Sequence, residues 1–199
     1  MPSSATSARQ PLSLDYSATA VVVIDLQFSN AARELAPHDA ATVIRNSRAV
    51  TDALRAKGAT ILFVRVDPTK FRAMNTDASL PRPQGNMGET PFALVPDCGV
   101  EDGDEVIVKR QIGAFYGTPL EQVLRRNGIT TVIMTGIATN IGVESTARQA
   151  ADLGFDVVFI EDAMSTMSEA AHRQSVEGYF PYMGRVRTTE ALLEEVAQG

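Results

Sequence analysis

Six short runs rich in β-branched residues, separated by segments of helical period, constrain this chain more than any other feature. They lie at 20–26 (AVVVIDL), 59–66 (ATILFVRV), 105–109 (EVIVK), 130–135 (TTVIMT), 155–160 (FDVVFI) and, more weakly, 184–187 (GRVR). Apolar runs of that length without polar alternation fit strands covered on both faces. Between them, 37–57 carries a stripe of Ala40, Val43, Ile44, Val50 and Leu54, interrupted by Ser47 and Thr51 and stopped by Gly58, as an amphipathic helix with a left-handed terminal residue requires. Further helices fit 119–126, 143–153, 168–179 and 189–198. Strands alternating with helices imply right-handed crossovers. The expected fold class is therefore α/β: a three-layer α/β/α sandwich around a central, mostly parallel six-stranded sheet, Rossmann-like in plan.

With 199 residues, one domain is expected over 18–199, behind a loose Ser/Ala-rich arm at 1–17. The stretch 67–104, rich in Pro, Gly and Asn, has no evident period, and a connection so long is expected to cover something. A net charge of −6 offers no basic footprint for nucleic acid. No apolar run approaches the ~20 residues of a membrane span, and the N-terminus has no continuous apolar signal region. One cysteine, Cys98, fits a reducing cytoplasm and a small apolar filler in the Pro-rich connection. Two histidines, His38 and His172, without HxH, HExxH or CxxC spacing, argue against a transition-metal site. No cofactor is expected.

In open parallel sheets ligands gather beyond the carboxyl ends of the strands. Asp25 closes the first run, where a carboxylate is costly to bury unless it has a partner or caps a helix. Lys109 closes the third run and is either that partner or a lysine reaching solvent; a buried member of the pair would need the other. The segment 135–148 (TGIATNIGVESTAR) reads as strand end, tight turn and helix start near Gly142. Such a start suits an oxyanion or carboxylate, or is a plain start capped by Asn140. Gln27, Phe28, Arg65 and one of Phe115 and Tyr116 are further candidates to line a pocket, each also explicable by packing or ion pairing. His172 is expected at the surface or an interface, and Glu161–Asp162 is expected to cap a helix.

These segments, in this order, resemble the isochorismatase-like hydrolase superfamily, also called the cysteine hydrolases. The resemblance covers roughly 18–193 and rests on VVVIDLQ, KRQIGAFYGTPLEQVLRRNGI, GIATNIGVESTARQAADLGF and IEDAMS. It implies that the family's Asp, Lys and Cys triad maps to Asp25, Lys109 and Gly142. A non-proline cis peptide at the oxyanion site would map to Ile137–Ala138, with Thr139 beside it. Homo-oligomers are implied in the same way.

Gly142 has no side chain to attack an amide, so thiol-based acyl transfer is impossible at that position. The family's isochorismatases also carry glycine there and cleave a vinyl ether by protonating carbon. This suggests a hydrolase acting on a small, anionic metabolite, with Asp25 as general acid supported by Lys109. A nearby lysine cation should depress the Asp25 pKa, so substrate binding and loss of water must raise it. The turn itself, with Ala138 and Asn140 where isochorismatases carry an aromatic residue and a histidine, instead resembles ureide and amide hydrolases with the cysteine exchanged. Two alternatives follow: a non-catalytic ligand-binding relative, or a cysteine amidohydrolase in which glycine replaces the cysteine at 142. The metal ligands of the nicotinamidase branch are missing.

Overall fold

The computed structural model describes residues 10–70, 74–79 and 90–198. Six strands, β1 (Thr19–Ile24), β2 (Thr60–Val66), β3 (Glu105–Lys109), β4 (Thr131–Ile137), β5 (Asp156–Ser165) and β6 (Gly184–Arg187), form one sheet in the order β3-β2-β1-β4-β5-β6. Every pairing is parallel, so the sheet is all-parallel where a mostly parallel one was expected. The helices are α1 (Phe28–Ala31), α2 (Ala40–Arg55), α3 (Leu120–Arg126), α4 (Glu144–Asp152), α5 (Glu169–Arg173) and α6 (Thr189–Gln198).

β1 is buried along its whole length, and its side chains divide by the two-residue period of a strand. Ala20, Val22 and Ile24 enter one core with residues of α3 and α4, including Leu124 and Ala147. Val21 and Val23 enter the other with Val43, Val50 and Leu54 of α2 and Leu192 of α6. Unbroken valine runs thus reflect two apolar faces, the usual condition of a parallel central strand. α2 starts where the Asp39 carboxylate accepts from the Thr42 amide, an N-cap of the common kind. Ser47, a polar interruption of its stripe, is buried but donates to the Ala163 carbonyl.

Three local expectations change. β5 runs past Ile160 to Ser165, so Glu161 and Asp162 lie within a strand; Asp162 nevertheless accepts from the Thr189 amide and hydroxyl at the start of α6. The expected helix at 168–179 includes a wider, π-type turn, Gln174–Tyr179 after α5, and the helix expected at 143–153 is led in by another, Thr139–Val143 before α4. The arm is held from Gln10 onward: Leu12 is buried, and the Arg185 and Arg187 guanidinium groups donate to the Leu12 and Gln10 carbonyls. Residues 1–9 lie outside the described ones, as do parts of 67–104. The described remainder of that stretch includes Cys98, buried in the second core.

Gly136 sits near the end of β4 with φ +116°, and a Cβ there would lie 2.0 Å from the Ile24 carbonyl oxygen of β1. Neither the backbone conformation nor the space admits a side chain. Gly136→Ala should therefore destabilise the protein by about 3 kcal/mol or more, measured as a fall in the denaturant midpoint at unchanged m-value.

Candidate active site

The chain runs from β1 to one side of the sheet and returns to the other side at β4, which makes the β1/β4 boundary a topological switch point. Three strand ends converge near it. Asp25 follows β1 directly and has φ +51°, a left-handed conformation that aspartate tolerates better than most residues. Its backbone is held there: its amide donates to the Val64 carbonyl, and its carbonyl accepts from the Gln27 amide and the Asn30 side chain. Lys109, the last residue of β3, reaches back across β2. Its Nζ lies 2.8 Å from Asp25 Oδ2 and donates to the Ile112 carbonyl at 2.7 Å. Both residues are buried, Lys109 to 1% exposure and Asp25 to 5%.

Two opposed effects act on Asp25. Burial, the larger, pushes its carboxyl pKa up; the Lys109 charge and hydrogen bond pull it down without reversing the shift. The carboxylate is desolvated and only half satisfied, since Oδ1 is buried without a hydrogen-bond partner. That is the environment in which a carboxylic acid holds its proton above its ordinary range.

A cleft of about 120 Å³ opens on this pair. Ile137, Ala138, Ile141 and Gly142 form its floor on the β4 side, and Asn30, Arg33, Gln111 and Met167 contribute from flanking segments. The Ile137–Ala138 peptide is cis, as the resemblance implied. A Cβ built on Gly142 would lie 3.1 Å from Lys109 Nζ and 3.2 Å from Asp25 Oδ2. Position 142 therefore faces the ion pair at contact distance, and glycine leaves that space open.

The structure gathers Asp25, Lys109, Ile137, Ala138 and Gly142 around one cleft and puts the other candidates elsewhere. Gln27 is fully buried, with its amide nitrogen donating to the Val66 and Phe92 carbonyls and its oxygen accepting from the Val66 amide; it ties β2 to the 90–95 segment. Phe28 packs on the second core. Arg65 points to a separate hollow with Pro91 and Leu94, because alternation along β2 turns it away from the cleft. Tyr116 is exposed. Thr139 is buried beneath the turn, with Oγ1 2.9 Å from His172 Nδ1. His172, expected at the surface or an interface, is buried within the chain.

Arg33 and Met167 were missed by the sequence reading. Arg33 lies just past the end of α1, where its Nε donates to Asn30 Oδ1; its place in the chain soon after VVVIDLQF was a usable signal. Met167 reaches the cleft because β5 is longer than its apolar run.

The chain as a whole is similar to known proteins. The model of the isochorismatase domain matches residues 19–191. The chain is 44% identical over 192 residues to an uncharacterised isochorismatase family protein of Bacillus subtilis, YwoC, covering 93% of this chain and 97% of the relative. It is 30% identical over 208 residues to the ureidoacrylate amidohydrolase RutB of Yersinia enterocolitica, covering 90% of each. Among solved structures, an isochorismatase family protein from Burkholderia thailandensis superposes with a TM-score of 0.83 at 36% identity, covering 91% of this chain and 96% of that one.

Removing one member of a buried pair leaves an uncompensated charge. Lys109→Met should cost about 3–5 kcal/mol of stability at neutral pH. Its loss raises the Asp25 pKa further, so the folded state binds more protons than the unfolded one and the deficit shrinks as pH falls. Urea unfolding of the variant and the parent at neutral and mildly acidic pH measures both effects.

Proposed function

We propose that this chain, which belongs to the isochorismatase family, hydrolyses a small anionic metabolite by acid catalysis from Asp25, without a covalent enzyme intermediate. One observation carries the reading: position 142 addresses the Asp25–Lys109 pair at contact distance but is glycine, so the group poised over substrate is the carboxyl and not a thiol. Burial that raises the Asp25 pKa favours a proton donor, and general acids are tuned in this way.

A vinyl ether bearing a carboxylate is the substrate class that uses such an acid. Asp25 transfers its proton to the terminal vinyl carbon, and the electron pair of the C=C bond forms the new C–H bond. The resulting oxocarbenium ion is attacked by water, which loses a proton to the Asp25 carboxylate. The hemiketal then breaks its C–O bond to release an alcohol and a 2-keto acid. Lys109 steadies Asp25 as its charge develops, and Arg33 at the cleft supplies a cation for the substrate carboxylate.

The amidohydrolase named among the relatives supports a second reading, in which water over Gly142 gives a proton to Asp25 as general base and adds to an amide or ureide carbonyl carbon; the tetrahedral intermediate then breaks its C–N bond, and the leaving nitrogen takes that proton from Asp25. The two readings differ in sign. An acid loses activity as pH rises through the Asp25 pKa, whereas a base gains it.

Pyruvate release from isochorismate and ammonia release from ureidoacrylate, followed across pH, separate them. The acid reading predicts pyruvate release that declines on the alkaline side and falls at least ~100-fold in Asp25→Asn while the variant keeps its circular dichroism spectrum. Ammonia release that increases with pH, with no pyruvate, supports the second reading. Turnover unchanged in Asp25→Asn contradicts both.

A further inference from the structure

Both histidines of the chain meet in one place. His38 lies just before α2 and His172 on α5, yet their rings pack edge to face with centroids 5.8 Å apart. Glu161 of β5 brings Oε2 to 4.0 Å from His38 Nε2. One ligand atom from each of the three residues lies within 4.8 Å of the others. His172 is 2% exposed, and with its Nδ1 engaged by Thr139 its Nε2 is left buried without a hydrogen-bond partner, as is the Nε2 of His38. Two orphaned imidazole nitrogens in one buried place are costly unless something binds them.

We infer that His38, Glu161 and His172 form a site for a divalent transition-metal ion, separate from the cleft at Asp25. Two imidazoles and a carboxylate are a ligand set that zinc accepts, with bonds of about 2.0–2.2 Å. Ligand atoms around such an ion sit roughly 3.3–3.5 Å apart in tetrahedral geometry. The half-exposed side chains of His38 and Glu161 can rotate to close the remaining gap, while buried His172 is the fixed ligand.

The hydrogen bond to Thr139 fits the same assignment. A metal on His172 Nε2 leaves the ring proton on Nδ1, where it is donated to Thr139 Oγ1. Second partners of this kind orient metal-bound histidines. The surrounding segments are also tied together: Ala36 and Thr166 exchange amide hydrogen bonds in an antiparallel bridge, the His38 amide donates to Ser165 Oγ, and the Thr166 hydroxyl donates to Asn140 Oδ1. An ion here clips the segment before α2, the end of β5 and α5 together, directly behind the turn whose Ala138 lines the cleft. None of the three ligands lines the cleft among its described residues, so the ion acts on structure, not on substrate. The distant spacing of the ligands along the chain hides the site from motif searches.

Metal-stripped full-length protein titrated with Co²⁺ provides the test. One equivalent per chain is expected, with visible absorption of His-ligated cobalt, displacement by Zn²⁺, and a rise in melting temperature on zinc addition that a chelator reverses. His38→Ala and Glu161→Gln, both at half-exposed positions, should each weaken Co²⁺ binding by more than ~10-fold with the circular dichroism spectrum unchanged. His172→Gln should abolish it. Uptake well below one equivalent at saturating metal overturns the proposal, as does uptake that survives both His38→Ala and Glu161→Gln, which marks an adventitious ion only.

Discussion

The 2.8 Å contact between Asp25 and Lys109 is the interaction on which the cleft depends. Neither group is tolerable alone at that depth, because an isolated buried charge is costly and finds no water to solvate it. Their pairing requires β1 and β3, separated in the sheet by β2, to end at heights that let a lysine reach across. The parallel register supplies this: Ile24 stands beside Val64, and Val66 beside Lys109. The apolar strands therefore do more than make a core, since their registration sets the distance between two charges.

A second constraint is the closeness of β1 and β4. Gly136 lets the Ile24 backbone approach to a distance that no side chain permits. It also sits at the irregular step where β4 shifts register against β5. Just beyond it come the cis peptide and the wide turn at Thr139–Val143, a form of helix that recurs at functional sites. That turn brings residue 142 over the ion pair. With glycine there, residue 142 offers no side-chain nucleophile, and the Asp25 carboxyl and the Lys109 ammonium are the ionisable groups that face that space. This is the physical basis for preferring proton transfer to covalent catalysis in the proposed function.

Much of this was legible in the sequence. Six apolar runs gave six strands, because a strand buried on both faces needs an unbroken β-branched run. Asp25 stood out because a charge after four such residues is anomalous. What escaped notice had physical causes. β5 continues through Glu161 and Asp162, which meet other elements in the folded chain: Glu161 Oε2 comes within 4.0 Å of His38 Nε2, and Asp162 accepts from the Thr189 amide at the start of α6. Arg65, a candidate to line the pocket or to form an ion pair, lies by a separate hollow because its neighbour Val66 is the residue of β2 that lines the cleft. His172 looked like an exposed helix residue beside Arg173, but a π-type turn following α5 and the hydrogen bond to Thr139 accompany its burial. The meeting of His38, Glu161 and His172 is a property of the folded chain, and no local pattern announces it.

Proton donation by Asp25 requires that burial outweigh the lysine beside it, and this is open to direct measurement. The ¹³C resonance of the Asp25 carboxyl, assigned by its loss in Asp25→Asn, can be followed across pH in the folded protein. A midpoint above that of an ordinary aspartate, moving higher still in Lys109→Met, is the predicted result. A midpoint at or below the ordinary value would mean that Asp25 stays ionised beside Lys109, and would contradict its role as proton donor.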